Sequence, residues 1–470
     1  MTDLSVDAPA RAQAAAVRER RISSRELLEL HLARIAERNP HLNAIVSLDE
    51  ERARAGAAAA DEHLTSGAEV GPLHGLPHAF KDTHAVAGWR TTYGSTLYAE
   101  HVPTFDDLVV ERIRRAGVVV LGKTNVPEFA AGSHTFNRIF GTTRNPADPS
   151  RSAGGSSGGA AAALAAGMVP LADGSDMGGS LRNPASFCGV VGLRPSLGRV
   201  PTWPTDNQWE TTSVSGPMAR NVGDVALLLS VLAGPDPRAP FALGDPGAAF
   251  APPLTGSLAG LRVAWSLDLG GAFDVDAEVA PATESAGRLA ARAGARVFGA
   301  YPDLRLAEDT FRTLRSWNFQ ARFGRLLADY PDAFKPSLAD NIRAGESLTG
   351  ADVARAYAQR TALAETMRAF FTSYDVLMLP VSQVPPFPAD EEYPASINGR
   401  PMASYLDWMR SSYFITVTGC PAISVPAGTT PAGLPVGVQI VAPHGADRRL
   451  LEIAAAFEAA LGATPGPDVG

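Results

Sequence analysis

Two glycine-bracketed serines constrain this chain more than any other feature. The first lies in Gly154-Gly155-Ser156-Ser157-Gly158-Gly159, and the second closes Met177-Gly178-Gly179-Ser180, 24 positions on from Ser156 (156 to 180). A serine hydroxyl is a weak nucleophile until a neighbouring base takes its proton. Flanking glycines let backbone N–H groups approach a reacting oxygen where a Cβ would clash. An Ala-rich run over 160–166 reads as a short helix closed by Gly167, and 169–172 reads as a buried strand. Upstream, Lys81 sits in His78-Ala79-Phe80-Lys81-Asp82. Burial among apolar neighbours disfavours its charged form, and a neutral amine can act as a general base.

The serine motifs admit three chemistries. Gly155-Ser156-Ser157-Gly158-Gly159 fits the nucleophile elbow of α/β-hydrolases, with Ser157 central. That mechanism needs a downstream histidine, and of the nine in the chain only His444 follows Ser157. A phosphate-cradling loop is the second, but no Gly-Lys-Ser/Thr ends the motif. The third makes Ser156 a proton relay between Lys81 and the nucleophile Ser180; it uses both serines and needs no histidine. Ser157 then reads as a helix cap. The N–H groups of Met177, Gly178, Gly179 and Ser180 form a donor cluster suited to a tetrahedral oxyanion. Asp176 and Arg182, flanking the turn, read as an orienting pair or scaffold contacts.

The stretch resembles the amidase signature family over Gly122-Lys123-Thr124-Asn125, the Gly154–Gly167 segment, Pro170 to Ala185 and Gly189-Val190-Val191-Gly192-Leu193-Arg194-Pro195, with a weaker match in Gly433 to Ile440. The resemblance implies a Ser–Ser–Lys amidohydrolase working through a covalent acyl-enzyme, and no step of that chemistry needs a cofactor or metal. By position, Lys81 matches the family's lysine, Ser156 its bridging serine, usually preceded by a cis peptide bond, and Ser180 its nucleophile. Glu128-Phe129-Ala130-Ala131-Gly132 aligns with its substrate-facing loop, where the carbonyls of Ala130 and Gly132 would accept a leaving-group N–H.

Composition narrows the setting. A net charge of −8 leaves no electrostatic footprint for nucleic acid or an anionic membrane. Two cysteines, Cys188 and Cys420, lie among apolar residues, too few for a disulfide framework and too isolated for zinc. The acidic N-terminus lacks a signal-peptide core, and the longest apolar run, broken by Gly167 and Pro170, is too short to span a bilayer. A cytoplasmic enzyme with a small-molecule amide or carbamate substrate is expected, and a homodimer is left open.

Ser23-Ser24-Arg25-Glu26 is a capping box ahead of Leu27, Leu28, His31, Leu32 and Ile35 on one helical face. Further helices are predicted over 50–64, from Asp106 or Asp107 to Gly117, and over 222–233 behind Asn221. Strands are predicted over 118–121, 261–265, 295–298 and 375–379. The alternation argues an α/β fold with a large mixed, mainly parallel sheet covered by helices on both faces. The helical pattern with Trp317, Phe319, Phe323 and Phe334 reads as an inserted cap over 300–372. The resemblance implies one domain over 1–470 whose core sheet uses both ends of the chain, with N-terminal helices to 65, a catalytic core over 66–235 and a return to the core over 373–470. Residues 233–257, rich in Pro and Gly, read as an exposed connection.

Specificity rests on aromatics. Phe129 and a polar-aromatic loop from Trp203 to Trp209 are the expected apolar walls, with Phe136, Trp317, Tyr393, Tyr405 and Trp408 as further candidates. The expected activity is hydrolysis of aryl or apolar amides, extending to carbamates (urethanase activity) and esters. The alternative is the glutaminase component of a tRNA-dependent amidotransferase.

Overall fold

The computed structural model of the chain describes residues 5–462. Three helices open it: α1 (Ala10–Arg18), α2 (Ser24–Leu42) and α3 (Glu50–Thr65). α2 starts at the capping box, where Glu26 N–H donates to Ser23 Oγ at 3.1 Å and Ser23 N–H donates to the Glu26 carboxylate at 2.8 Å. Its stripe from Leu27 to Ile35 is buried. Strands β1 (Ile45–Val46), β2 (Pro77–Lys81) and β3 (Val119–Thr124) form a small sheet in the order β1-β3-β2, with β2 and β3 parallel. α4 (Leu108–Arg115) leads into β3; Asp107 holds its N-cap position, but its carboxylate accepts from Ala85 N–H instead. A ribbon of β4 (Phe136–Asn137) and β5 (Gly141–Thr142) follows.

The catalytic-motif segment then runs α5 (Gly158–Ala165), β6 (Leu171–Asp176), α6 (Arg182–Cys188), β7 (Val191–Arg194), β8 (Val214–Ala219) and α7 (Val222–Leu232). Asn221 caps α7 by accepting from Asp224 N–H at 2.9 Å. Residues 233–257 contain one short 3-10 turn and no other regular element. Beyond them come β9 (Arg262–Trp265), α8 (Ala280–Arg292), β10 (Arg296–Gly299), then three successive helices α9 (Ala307–Asp329), α10 (Pro336–Arg343) and α11 (Gly350–Phe370). The chain closes with β11 (Val376–Pro380), the small pair β12 (Ser396–Ile397) and β13 (Arg400–Pro401), α12 (Arg410–Thr418), β14 (Ala422–Thr429), β15 (Pro435–Val441) and α13 (Asp447–Leu461).

Eight strands make the main sheet, in the order β10-β9-β11-β15-β14-β7-β8-β6. The mixed, helix-covered sheet is as expected, but it is not mainly parallel. Only β10–β9 and β9–β11 pair in parallel; the other five neighbouring pairs are antiparallel. Strands buried on both faces read as continuous apolar runs whichever way they point, so the sequence pattern does not carry direction. The clearest case is the hairpin β14–β15, closed by a turn in which Thr430 N–H donates to Leu434 O.

Both faces are covered. Along β11, Val376 and Met378 join the core shared with α7, α8 and α13, whereas Leu377 and Leu379 join the core shared with α6, α9, α11 and α12. A third core packs the Ala-rich α5 against α2, α3 and β3. The small sheet adjoins the β6 edge, where Lys81 N–H donates to the Asp173 carboxylate at 3.2 Å. Cys188 and Cys420 are buried free thiols, and burial pushes both above the ordinary thiol range. Among the described residues no helix is long and apolar enough to cross a membrane.

Candidate active site

Lys81 is the last residue of β2 and is wholly buried. Its Nζ lies 2.8 Å from Ser156 Oγ, 2.8 Å from Ser157 Oγ and 2.9 Å from Ser175 Oγ. Burial pulls its pKa down to about 7, against the opposing pull of Asp173 and Asp176. An ammonium donates three hydrogen bonds, whereas a neutral amine donates two and accepts one. Three hydroxyls around a neutral Nζ therefore leave one of them able to hand it a proton.

The Gly155–Ser156 peptide is cis. Ser156 is carried on the loop entering α5, and its neighbour Ser157 stands at the α5 N-cap position. The cap role expected of Ser157 is not realised: its hydroxyl makes no capping bond and is held by Lys81 instead. Gly174 on β6 makes this possible, since a Cβ there would sit 2.7 Å from Ser157 Oγ. His444, the histidine that an α/β-hydrolase reading needs, is exposed and bonded to Leu197 O. Ser175, which sequence reading passed over, is the third member of the lysine's hydroxyl ring.

The turn after β6 is locked from below by Asp176. Its carboxylate accepts from Arg182 Nη2 at 2.9 Å and Nε at 3.0 Å, and from the N–H groups of Gly179 and Leu181 at 2.9 and 3.2 Å. Arg194 bonds the Asp176 carbonyl and approaches its carboxylate at 3.3 Å. Burial alone would raise the Asp176 pKa, but the two guanidiniums hold it far below the carboxylate range. Arg182 in turn donates to Ser412 O, Thr416 Oγ1 and Gln439 Oε1. Gly179 adopts φ +112°, and a Cβ on it would meet Asn183 and Ser412 at 2.6 Å. The four-residue donor cluster needs one correction: Gly179 N–H is spent on Asp176. The N–H groups of Met177, Gly178 and Ser180 have no partner among the described residues. Ser180, 7% exposed, is further fixed by the bond from Ser157 N–H to its carbonyl at 3.2 Å.

Behind Lys81 lies a cluster that the motifs do not announce. Asp173, buried on β6, accepts from His78 Nε2 at 2.9 Å, from His84 Nδ1 at 2.5 Å and from Lys81 N–H. Burial would raise its pKa, but the two imidazole hydrogen bonds outweigh it and hold the group ionised. Lys123, also fully buried, donates to His84 O and Thr91 Oγ1. Burial lowers its pKa to about 8.

A cavity of about 820 Å³ opens over the site, lined by Ser156, Ser175, Met177, Gly178 and Ser180, and by Phe129, Ala130 and Gly132. Phe129 packs against Phe323 and Phe334, at ring-centroid distances of 4.7 and 5.7 Å. Trp203 and Trp209, however, do not line it. Their loop does so through neighbours such as Thr205 and Asn207. The Trp203 ring is covered by the Arg238 guanidinium at 4.4 Å, which Glu111 and Asp236 hold in place. Trp209 is 66% exposed and meets only the edge of Phe241. Trp408 is core, between Phe187 and Phe387. The apolar wall comes instead from α9, whose Phe319 and Phe323, one turn apart, face the cavity with Arg315 and Arg322. Helical spacing was the available signal for that face, but nothing local shows which distant loop it meets.

A family model described as Amidase matches residues 26–451. The chain is 38% identical over 451 residues to an acylamidase of Rhodococcus erythropolis, covering 95% of this chain and 94% of that protein. It is 36% identical to a glutamyl-tRNA(Gln) amidotransferase subunit of a Synechococcus species, covering 93% of each. Among solved structures, a bacterial aryl acylamidase belonging to the amidase signature enzymes superposes with a TM-score of 0.90 at 30% identity, covering 98% of each chain.

Proposed function

The chain belongs to the amidase family, and on that premise we propose that it hydrolyses C–N bonds of small aryl or apolar amides through a serine acyl-enzyme, with carbamates and esters as further substrates of the same machinery. One observation carries the reading: a wholly buried lysine whose Nζ is 2.8 Å from Ser156 Oγ, with Ser156 and Ser180 facing one cavity.

Ser180 attacks the carbonyl carbon while its proton passes to Ser156 and the Ser156 proton passes to neutral Lys81. The N–H groups left open at Met177, Gly178 and Ser180 receive the oxyanion. Proton return through Ser156 to the leaving nitrogen breaks the C–N bond and releases the amine. Water then repeats the sequence on the acyl ester, freeing the acid and Ser180. The carbonyls of Ala130 and Gly132 orient the leaving-group N–H. Asp176, Arg182 and Arg194 are positioning residues that hold the turn.

A glutaminase reading draws support from the amidotransferase relatives. The phenyl wall of Phe129, Phe319 and Phe323 favours the aryl class over glutamine. Comparison of kcat/KM for an anilide, an N-aryl carbamate and glutamine tests the choice: the anilide is expected first. A glutamine value more than about tenfold above it, a gap of about 1.4 kcal/mol, overturns the preference. A fluorophosphonate is expected to label Ser180 in peptide mapping; an adduct on Ser157 overturns the assignment.

A further inference from the structure

Four arginines of the described residues are buried: Arg182, Arg194, Arg199 and Arg315. The first three each hold a carboxylate, Asp176 for Arg182 and Arg194, and Asp447 for Arg199. Arg315 does not. Its guanidinium, on a residue 6% exposed, donates to Asn341 Oδ1 at 3.2 Å, to Tyr405 Oη at 2.6 Å and to the Met177 thioether at 3.2 Å, all neutral. Phe319 covers one face at 4.1 Å, which supports the cation without neutralising it. A buried charge without a counter-charge is costly, and structures rarely keep one unless something pairs with it.

Arg315 also lines the cavity that Ser180 faces, and through Met177 it touches the turn that carries Ser180. Asn341 and Tyr405 are not cavity residues, so they hold the guanidinium from behind. Of its five N–H groups three are engaged, one on each nitrogen. One remains on each terminal nitrogen, the number that a carboxylate takes in a bidentate contact. Of the acids that line the cavity, Asp107 is engaged by Ala85 N–H, and Glu210 by Thr212, Ser213 and Asn318. Asp206 lies on the exposed loop.

We propose that Arg315 forms an anion subsite of the active-site cavity and that the substrates are amides carrying a carboxylate beside an aryl or alkyl body. The inference rests on the amidase reading above. The phenyl rings of Phe129, Phe319 and Phe323 hold the apolar body while Arg315 takes the carboxylate and so fixes which end of the molecule reaches Ser180.

Two matched pairs test it: succinanilate against butyranilide, with the carboxylate on the acyl side, and 4-acetamidobenzoate against acetanilide, with it on the leaving group. In wild type one carboxylated member is expected to exceed its neutral partner at least about tenfold in kcat/KM, chiefly through KM. Arg315→Gln is expected to bring that ratio close to one, and Arg315→Lys to restore part of it. Because each reading is a ratio, a general loss of activity in the variant does not imitate the result. Ratios near one in wild type for both pairs, or a ratio that survives Arg315→Gln, overturn the subsite. Absence of turnover of all four compounds would instead overturn the amidase reading. Calorimetric titration of the carboxylated compounds into Ser180→Ala and Ser180→Ala/Arg315→Gln still decides the subsite in that case: equal affinity in the two refutes it.

Discussion

The turn that carries Ser180 and the wall that faces it are built by opposite means. The turn is held chiefly by buried polar groups at short range: Asp176 alone accepts from two arginines and two backbone N–H groups. The wall is a set of rings on α9, together with Phe129, packed by contact area and spaced by helical geometry. A hydrogen-bonded turn has one workable arrangement, because any shift leaves a buried polar group unsatisfied. A phenyl surface tolerates repacking at modest cost. The turn is therefore held rigidly, while the ring-lined surface can be repacked at modest cost.

The sharpest way to break this comparison is at Lys81. Lys81→Met is expected to lower turnover at least about 10³-fold, since it removes the proton acceptor for both steps. It is not expected to lower stability. With its folded pKa pulled to about 7, the unfolded chain binds more protons than the native one between pH 7 and the ordinary lysine value, so wild-type stability rises with pH across that window. The methionine variant lacks this dependence, and its thermal midpoint should equal or exceed wild type at pH 7 and lose that advantage toward pH 10. Wild-type kcat/KM should fall below about pH 7 as the amine is protonated. A lysine variant that unfolds at neutral pH would show the residue to be structural.

Asp173→Asn comes next. It leaves two buried imidazoles facing an amide and removes the carboxylate that anchors Lys81 N–H. Loss of about 3 kcal/mol of stability is expected, read by denaturant unfolding, with activity lowered at temperatures where the variant remains folded. Full stability would mean that the cluster is a passenger. Smaller again is Phe323→Ala, expected to raise KM for an anilide about tenfold with little change in kcat, as fits a lost apolar contact worth 1–2 kcal/mol by about 25 cal/mol per Å². Trp209→Ala, a larger ring by volume but outside the cavity, should change KM less than about twofold. If the two exchange rank, the wall has been assigned to the wrong segment.

What could be read without coordinates divides along the same line. Lys81, Ser156 and Ser180 lie in dense local motifs whose glycines exist to let atoms approach, and such spacing is visible in a linear string. Trp203 and Trp209 looked like a wall because two indoles on a polar loop need a purpose. Their partners, Arg238 and Phe241, are more than thirty positions away, and no periodicity links them. Asp173, His78 and His84 escaped for a related reason: the two histidines flank Lys81, but their carboxylate lies about ninety positions on, and only the meeting of β2 with β6 makes them a group. Strand direction was hidden too, since the apolar runs of β14 and β15 look alike read either way.

The lock on the Ser180 turn has a consequence for how the enzyme comes into being. Arg182 is made before the middle of the chain, but three of its acceptors, Ser412, Thr416 and Gln439, come from the last sixty residues described. The bonds of Lys81 to Ser156, Ser157 and Ser175, and those of Asp176 to Arg182, all lie within the first half of the chain, so only the outer bracing of the turn depends on the late strands. A chain halted at residue 400 carries Lys81, Ser156 and Ser180 yet lacks the three acceptors that complete the bracing of the Ser180 turn. The turn is therefore braced by contacts between residues more than two hundred positions apart, and its rigidity is a property of the finished sheet.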